Sequence, residues 1–272
     1  MESISKNLAL TLENDIAWIT IHRPQDRNSI NSQLMNDLEK QLELVEKTES
    51  HAIVFLGGGT DHFIGGADGI EMMQAATEEA NAFSKKIQGL FHRMETSPLI
   101  LVAAIDGLCF GGGYEFALAC DFRIATERSR IGLPEVKVGI IPGGGGTQRL
   151  TRLVGVGKAT EIILGGRLYS GIEAKELGLI HKLAPDTEML QKEVLDLLKP
   201  ILKNPQTALS NAKLAIRASQ YYGLEEGLDR EAQLFSNCFK NNTFRRLMVE
   251  QLKKGILKTS SDINELLEKW DN

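Results

Sequence analysis

Apolar and polar positions along the chain follow two periods, and the switches between them predict the elements. Ile16-Ala17-Trp18-Ile19-Thr20-Ile21 is a β-rich run that closes before Pro24, and it predicts a strand. Leu34, Leu38, Leu42 and Val45 then recur at helical spacing behind Asn31, whose side chain suits a helix N-cap. His51 to Leu56 predicts a second short strand, stopped by Gly57-Gly58-Gly59. After the turn Phe63 to Asp68, a long polar helical stretch runs to about Glu95. Leu99 to Ile105 is apolar on both faces, as a strand buried in a parallel sheet would be. Gly111-Gly112-Gly113 then leads into a short apolar helix, Tyr114 to Cys120, and Asp121 to Ala125 predicts a further strand. A loop follows, through Leu133-Pro134-Glu135 and on to Pro142 to Gly146.

From Thr147 onward helical spacing dominates, with one strand-like interruption at Leu179 to Leu183. Leu224, Leu228, Phe235 and Phe239 form one apolar stripe, and Phe244, Leu247, Met248 and Leu252 form another. A last amphipathic segment carries Ile263, Leu266, Leu267 and Trp270 behind Ser261 or Asp262. The expected organisation is an α/β core over residues 1–200 that carries the site, and a helical region over residues 201–272. The terminal stripes are compatible with an internal core or with packing on neighbouring subunits, and the pattern leaves both open.

Composition changes this picture in one respect. Apolar residues are 42% and charged residues 25% of 272, ordinary globular usage that argues against disorder or a disulfide-stapled mini-fold. Glycine is the exception: there are 26, against an average near 7%. Nearly half of them fall in the runs Gly57 to Gly59, Gly65 to Gly66, Gly111 to Gly113 and Gly143 to Gly146. Clustered glycine brings backbone close to a partner.

Charge and motif tests narrow the partners. With 31 Lys and Arg against 36 Asp and Glu, the net charge is −5, which argues against nucleic acid. Between Leu99 and Cys120 only Asp106 and Glu115 are charged, but the glycines and the acid make a poor membrane span. Three cysteines without zinc-ligand spacing fit a reducing compartment, and Met1 to Asn7 carries no signal or transit pattern, so a cytoplasmic location is expected. Gly157-Lys158-Ala159 lacks the hydroxyl residue and leading glycine of a phosphate loop. The glycine runs lack dinucleotide spacing, and the five histidines show no paired metal spacing.

Glu115 is the sharpest anomaly, a carboxylate in the apolar run Leu108 to Cys120, one turn after three glycines. A helix N-terminus can hold such an acid without any catalysis. Alternatively, desolvation tunes it for proton transfer while the glycines let backbone N–H groups approach a substrate oxygen. Glu135, beside Pro134 and near the Gly143 to Gly146 loop, supplies a second carboxylate. Two carboxylates and two glycine-lined turns fit chemistry that moves protons while charge develops on an oxygen, as in a thioester enolate.

At these residues the sequence resembles the crotonase, or enoyl-CoA hydratase/isomerase, superfamily. The likeness rests on Phe63-Ile64-Gly65-Gly66-Ala67-Asp68, on Ala104-Ile105-Asp106-Gly107 with Gly111-Gly112-Gly113-Tyr114-Glu115, and on Leu133-Pro134-Glu135 continuing to Ile141-Pro142-Gly143-Gly144-Gly145-Gly146-Thr147-Gln148-Arg149-Leu150. With Arg23-Pro24 to Asn28 it covers about residues 10 to 240. The resemblance implies an α/β spiral of repeated ββα turns followed by a C-terminal helical trimerisation region. It also implies enoyl-CoA hydratase activity on an acyl-CoA thioester, with no metal and no cofactor beyond the coenzyme A of the substrate, and a homotrimer or dimer of trimers.

Position by position, the resemblance gives Ala67 and Gly112 as oxyanion-hole amides. Glu115 would activate water, Glu135 would exchange the α-carbon proton, and Gly143 would offer an amide near the water. Gly65, Asp68, Gly69 and Ile70 would lie along the acyl-CoA entry, and Arg27, Asn28 and Ser29 near the nucleotide. The sequence departs from the family where Gly69-Ile70 replaces the usual Ile-Lys, where Tyr114 replaces a smaller residue, and in its C-terminal pattern. Those departures bear on acyl preference and carrier recognition. The competing readings are a dehydratase, isomerase or decarboxylase of the same fold acting on an acyl-CoA or acyl-carrier-protein thioester, or a non-catalytic binding protein.

Overall fold

A hairpin opens the fold. β1 (Leu8–Glu13) pairs antiparallel with β2 (Ile16–Ile21) across Asn14 and Asp15, both at positive φ (50° and 62°), the geometry a two-residue strand turn requires. β1 was absent from the expected elements, although Leu8, Leu10 and Leu12 alternate with exposed neighbours along it. The computed structural model describes residues 5–59 and 61–254, so the amphipathic segment around Ile263 to Trp270 lies outside the described residues.

Beyond a 3-10 turn at Pro24–Asp26 lies α1 (Ser32–Val45), capped by Asn31, whose Oδ1 accepts the Leu34 N–H at 2.8 Å. The chain then repeats one unit. β3 (Ala52–Gly57) and β4 (His62–Ile64) are followed by α2 (Gly69–Gln74) and α3 (Thr77–Glu95). β5 (Ile100–Ile105) and β6 (Leu108–Phe110) are followed by α4 (Gly112–Ala119). β7 (Phe122–Thr126) and β8 (Arg130–Gly132) are followed by a 3-10 turn at Glu135–Val138 and α5 (Gly146–Gly165), which is broken at Gly155. β9 (Tyr169–Ser170), α6 (Gly171–Glu176), β10 (Lys182–Ala184) and α7 (Thr187–Ile201) complete the core.

Each repeat sends its first strand to one sheet and its second to another. The larger sheet has the order β1-β2-β3-β5-β7-β10, parallel after the opening hairpin; the smaller has the order β4-β6-β8-β9. This is the α/β spiral of ββα turns that the motifs imply. The three-residue strands of the second sheet were not foreseen, being too short to show a period. β5 is buried at every residue, as its two-faced apolarity requires, and four rings, Phe55, Phe63, Phe91 and Phe116, meet edge-on beneath α4.

The chain divides into two units, Met1–Leu202 and Lys203–Asn272. In the second, α8 (Gln206–Ala218), α9 (Leu224–Asn237) and α10 (Thr243–Lys253) bury only a few side chains, Leu234 and Val249 among them. Leu224, Leu228 and Phe235 of the α9 stripe are 81%, 53% and 65% exposed. Among the described residues no helix is long and apolar enough to cross a membrane.

The spiral draws α4 close against β4, and Gly113 permits the approach. A Cβ there would stand 2.8 Å from the Ile64 carbonyl carbon and 2.9 Å from its Cβ. Gly113→Ala is expected to lower the melting temperature by about 2–12 °C, since overpacking costs about 1–3 kcal/mol and a domain of this size loses about 2–4 °C per kcal/mol. An unchanged thermal melt would contradict this packing.

Candidate active site

Two backbone turns meet at the edge of the small sheet. β4 runs into Gly65-Gly66, where Gly66 takes φ 94°, and Ala67 bridges to Ile30: the Ile30 N–H donates to the Gly66 carbonyl at 2.8 Å and the Asp68 N–H to the Ile30 carbonyl at 2.8 Å. That pairing uses the groups flanking the Ala67 N–H and leaves the Ala67 N–H itself without an acceptor among the described residues. Across from it, Gly111 at φ 54° starts α4, and Gly112 as the first helical residue carries an N–H that the helix cannot satisfy. A Cβ at Gly112 would sit 3.1 Å from the Ala67 nitrogen, so the two turns touch.

Glu115 follows on the first turn of α4 and is 2% exposed. Its Oε1 accepts two backbone N–H bonds, from Gly144 at 2.8 Å and Gly146 at 2.7 Å. Burial raises its pKa above the ordinary range, and the two amides and the nearby Arg149 oppose that rise by favouring the charged form. The loop glycines are required here: a Cβ at Gly144 would lie 2.7 Å from Glu115 Oε2, and one at Gly146 2.9 Å from Oε1.

Glu135 stands where the small sheet gives way to the 3-10 turn, half-buried, with its Oε1 3.2 Å from where a Cβ on Gly111 would be. Its Oε2 is buried and has no hydrogen-bond partner. Desolvation, with a smaller contribution from the negative charge of Glu115, pushes its pKa up to about 7. The structure therefore brings together Ala67, Gly112, Glu115, Glu135 and the Gly143 loop, with one carboxyl group held by two loop amides and the other carrying a buried oxygen without a partner.

The other expected residues lie on the segments around these turns. Asn28, fully buried and at φ 55°, accepts the Arg23 N–H at 2.8 Å and donates to the carbonyls of Gly58 and His62, both at 2.9 Å, so its side chain ties loops together. Arg27 is exposed and packs by its Cβ on Gly65, whose N–H donates to the Arg27 carbonyl at 2.9 Å; Ser29 is buried beside it. Asp68 caps α2, accepting the Ile70 and Glu71 N–H groups, while Gly69 opens that helix and Ile70 is 66% exposed. Tyr114 points away: it is fully buried and its hydroxyl donates to the Leu179 carbonyl at 3.1 Å. Its size therefore shapes the core behind α4, not the space beside Glu115. Sequence reasoning missed Ser84, Gln88, Glu95 and Arg149, which surround the Gly143 to Gly146 loop. Arg149 lies inside a quoted motif, but its partner is 54 residues away.

Residues 11–257 match the model of the enoyl-CoA hydratase/isomerase family. The chain is 33% identical to a short-chain-enoyl-CoA hydratase of Clostridium acetobutylicum, over 91% of this chain and 95% of that protein. It is 32% identical to a crotonyl-CoA hydratase of Syntrophomonas wolfei, over 92% and 96%. A crystal structure of an enoyl-CoA hydratase from Bacillus anthracis superposes with a TM-score of 0.84 at 33% identity, covering 91% of this chain and 97% of that one.

The bare carboxyl of Glu135 has a thermodynamic signature. A folded-state pKa of about 7, above the ordinary 4.5, means that stability associated with the protonated form is fully present below about pH 4.5 and lost as pH rises through 7. Glu135→Gln is expected to melt above the wild type at pH 8, with the difference closing toward pH 5. A pH-independent difference would contradict the assigned burial.

Proposed function

The chain belongs to the enoyl-CoA hydratase/isomerase family, and from that premise we propose that it is an enoyl-CoA hydratase, adding water reversibly and with syn geometry to a trans-2-enoyl-CoA to give a 3-hydroxyacyl-CoA. The observation that carries this reading is the pair of unlike carboxyl groups beside two glycine turns: Glu115 fixed on two loop amides, Glu135 desolvated with one buried oxygen unpartnered. Two carboxyl groups in unlike surroundings suit a reaction that needs a base and an acid together.

The thioester oxygen accepts the N–H groups of Ala67 and Gly112. A water molecule gives a proton to Glu115 and its oxygen bonds to the β-carbon, while the π electrons move toward the thioester oxygen. Preorganised amides are worth about 3 kcal/mol per donor at such an oxygen, because they are aimed before the charge develops. Glu135, protonated near neutral pH, delivers its proton to the α-carbon and the carbonyl re-forms. Syn addition requires both glutamates to serve one face of the double bond. Solvent exchange then returns Glu115 to carboxylate and Glu135 to acid.

Coenzyme A enters only as part of the substrate. Arg27, exposed at the rim, and the loop through Asn28 and Ser29 would border its nucleotide, with Gly65, Asp68, Gly69 and Ile70 along the pantetheine path and Gly143 near the water. The names of the relatives favour a CoA thioester over a carrier-protein thioester. The unbridged Cys109 and Cys120 fit a cytoplasmic setting.

Glu115→Gln and Glu135→Gln are each expected to lower kcat for a short trans-2-enoyl-CoA by about 10²–10⁴-fold with the fold intact, read as slowed ultraviolet loss of the conjugated thioester. Turnover within a few-fold of wild type in either variant would overturn the reading. The exposed stripe Leu224, Leu228 and Phe235 supports a homotrimer or dimer of trimers. Light scattering is expected to give three or six chain masses, and a monomer at working concentration would exclude it.

A further inference from the structure

The loop that holds Glu115 is itself held, and the holding groups come from one face of one helix. α3 carries Ser84, Gln88, Phe91 and Glu95 at spacings of four, three and four residues, so they form a single stripe. The Ser84 hydroxyl donates to the Gly143 carbonyl at 2.7 Å, and Gln88 Nε2 donates to the same oxygen at 2.8 Å and to Ser84 Oγ at 3.0 Å. That carbonyl belongs to the same peptide unit as the Gly144 N–H, which donates from its opposite edge to Glu115 Oε1. A planar trans peptide transmits orientation rigidly from one edge to the other.

The next peptide is held as firmly. The Gly144 carbonyl accepts from Arg149 Nη1 at 2.8 Å, while Nε and Nη2 of Arg149 bind both oxygens of Glu95 at 2.9 and 2.8 Å. Glu95 is fully buried, and Arg149 lies 5.9 Å from the centre of the Phe91 ring. Gly144 therefore has no freedom to turn at either of its peptides.

We propose that Ser84 and Gln88 are positioning residues for Glu115, acting through the Gly143–Gly144 peptide, with the Arg149–Glu95 pair as the fixed support of the loop. The inference rests on the reading of Glu115 as the water-activating base. Donors on the carbonyl polarise the peptide, so the N–H at its other edge becomes a stronger donor to the carboxylate. The charged groups around Glu115 are Glu135 from the 3-10 turn and Arg149 from α5, the latter paired with Glu95 of α3. Removing the two α3 donors leaves all of these in place. The neutral form of Glu115 is then favoured, and its titration moves to higher pH.

The test uses Ser84→Ala/Gln88→Met, with Ser84→Ala alone as the milder variant, since both positions are at least partly exposed. The 13C resonance of the Glu115 carboxyl, assigned by its loss in Glu115→Gln, is followed against pH together with kcat and KM for a short enoyl-CoA. In the double variant the Glu115 titration and the acidic limb of the rate profile are expected to move up. The alkaline limb stays, kcat falls about five- to tenfold and KM holds within twofold. Ser84→Thr, which keeps the hydroxyl, stays close to wild type. A lower melting temperature with an unmoved Glu115 titration would reduce the stripe to a structural role and overturn the proposal. A shifted titration in a protein whose wild type hydrates no enoyl thioester would instead sustain the positioning role and overturn the assigned reaction.

Discussion

The two hydrogen bonds from the Gly144 and Gly146 N–H groups to Glu115 Oε1 are the constraint on which the site depends. A carboxylate that is 2% exposed on an apolar helix is costly unless its charge is met by hydrogen bonds, and here the donors are backbone. Backbone donors can converge on one oxygen only if the loop comes within van der Waals contact of the carboxyl group. That excludes a side chain at positions 144 and 146 and puts Gly145 at φ 99°. The loop cannot stay folded so tightly by itself, and the Arg149–Glu95 pair and the Ser84–Gln88 stripe fasten it to α3.

Glu135 shows the opposite arrangement with the same functional group. It has one buried oxygen without a partner and lies close enough to Glu115 to feel its charge. Amide donors favour the charged form of Glu115 against its burial, while desolvation pushes the pKa of Glu135 up to about 7. Thus one small volume contains two carboxyl groups in unlike surroundings. The spiral makes this possible by stacking successive β-strand ends, so that residues of β4, β6 and β8 reach the same edge.

The glycine runs had separate causes. Gly66, Gly111 and Gly112 let two turns meet, and Gly144 and Gly146 let amides reach a carboxylate. Gly57, which the sequence suggested only as a strand end, lets β3 pass directly over Phe63, since a Cβ there would fall 2.6 Å from the Phe63 Cα. Other features were less legible. The short strands of the second sheet carry no period, and spacing alone left Leu224 and Phe235 open between a core and a subunit contact, where the structure leaves them exposed. Tyr114 is adjacent in sequence to the acid, yet helical geometry turns it about 100° away from Glu115 and into the core.

Sequence alone determined the long strands β2, β3, β5 and β7, the caps and breaks around α1 and α4, and the two glutamates with the turns that serve them. Each of those is a local property: side-chain period, φ preference, or a carboxylate out of place in an apolar run. Tertiary structure alone decided that Glu115 is held by amides 29 and 31 residues away, that one oxygen of Glu135 is buried without a partner, and that α3 braces the loop holding Glu115. Those outcomes depend on which distant groups the spiral brings within hydrogen-bonding distance and which it leaves without a partner. Hydrogen bonding and desolvation act over that distance in space, however far apart the residues stand in the chain.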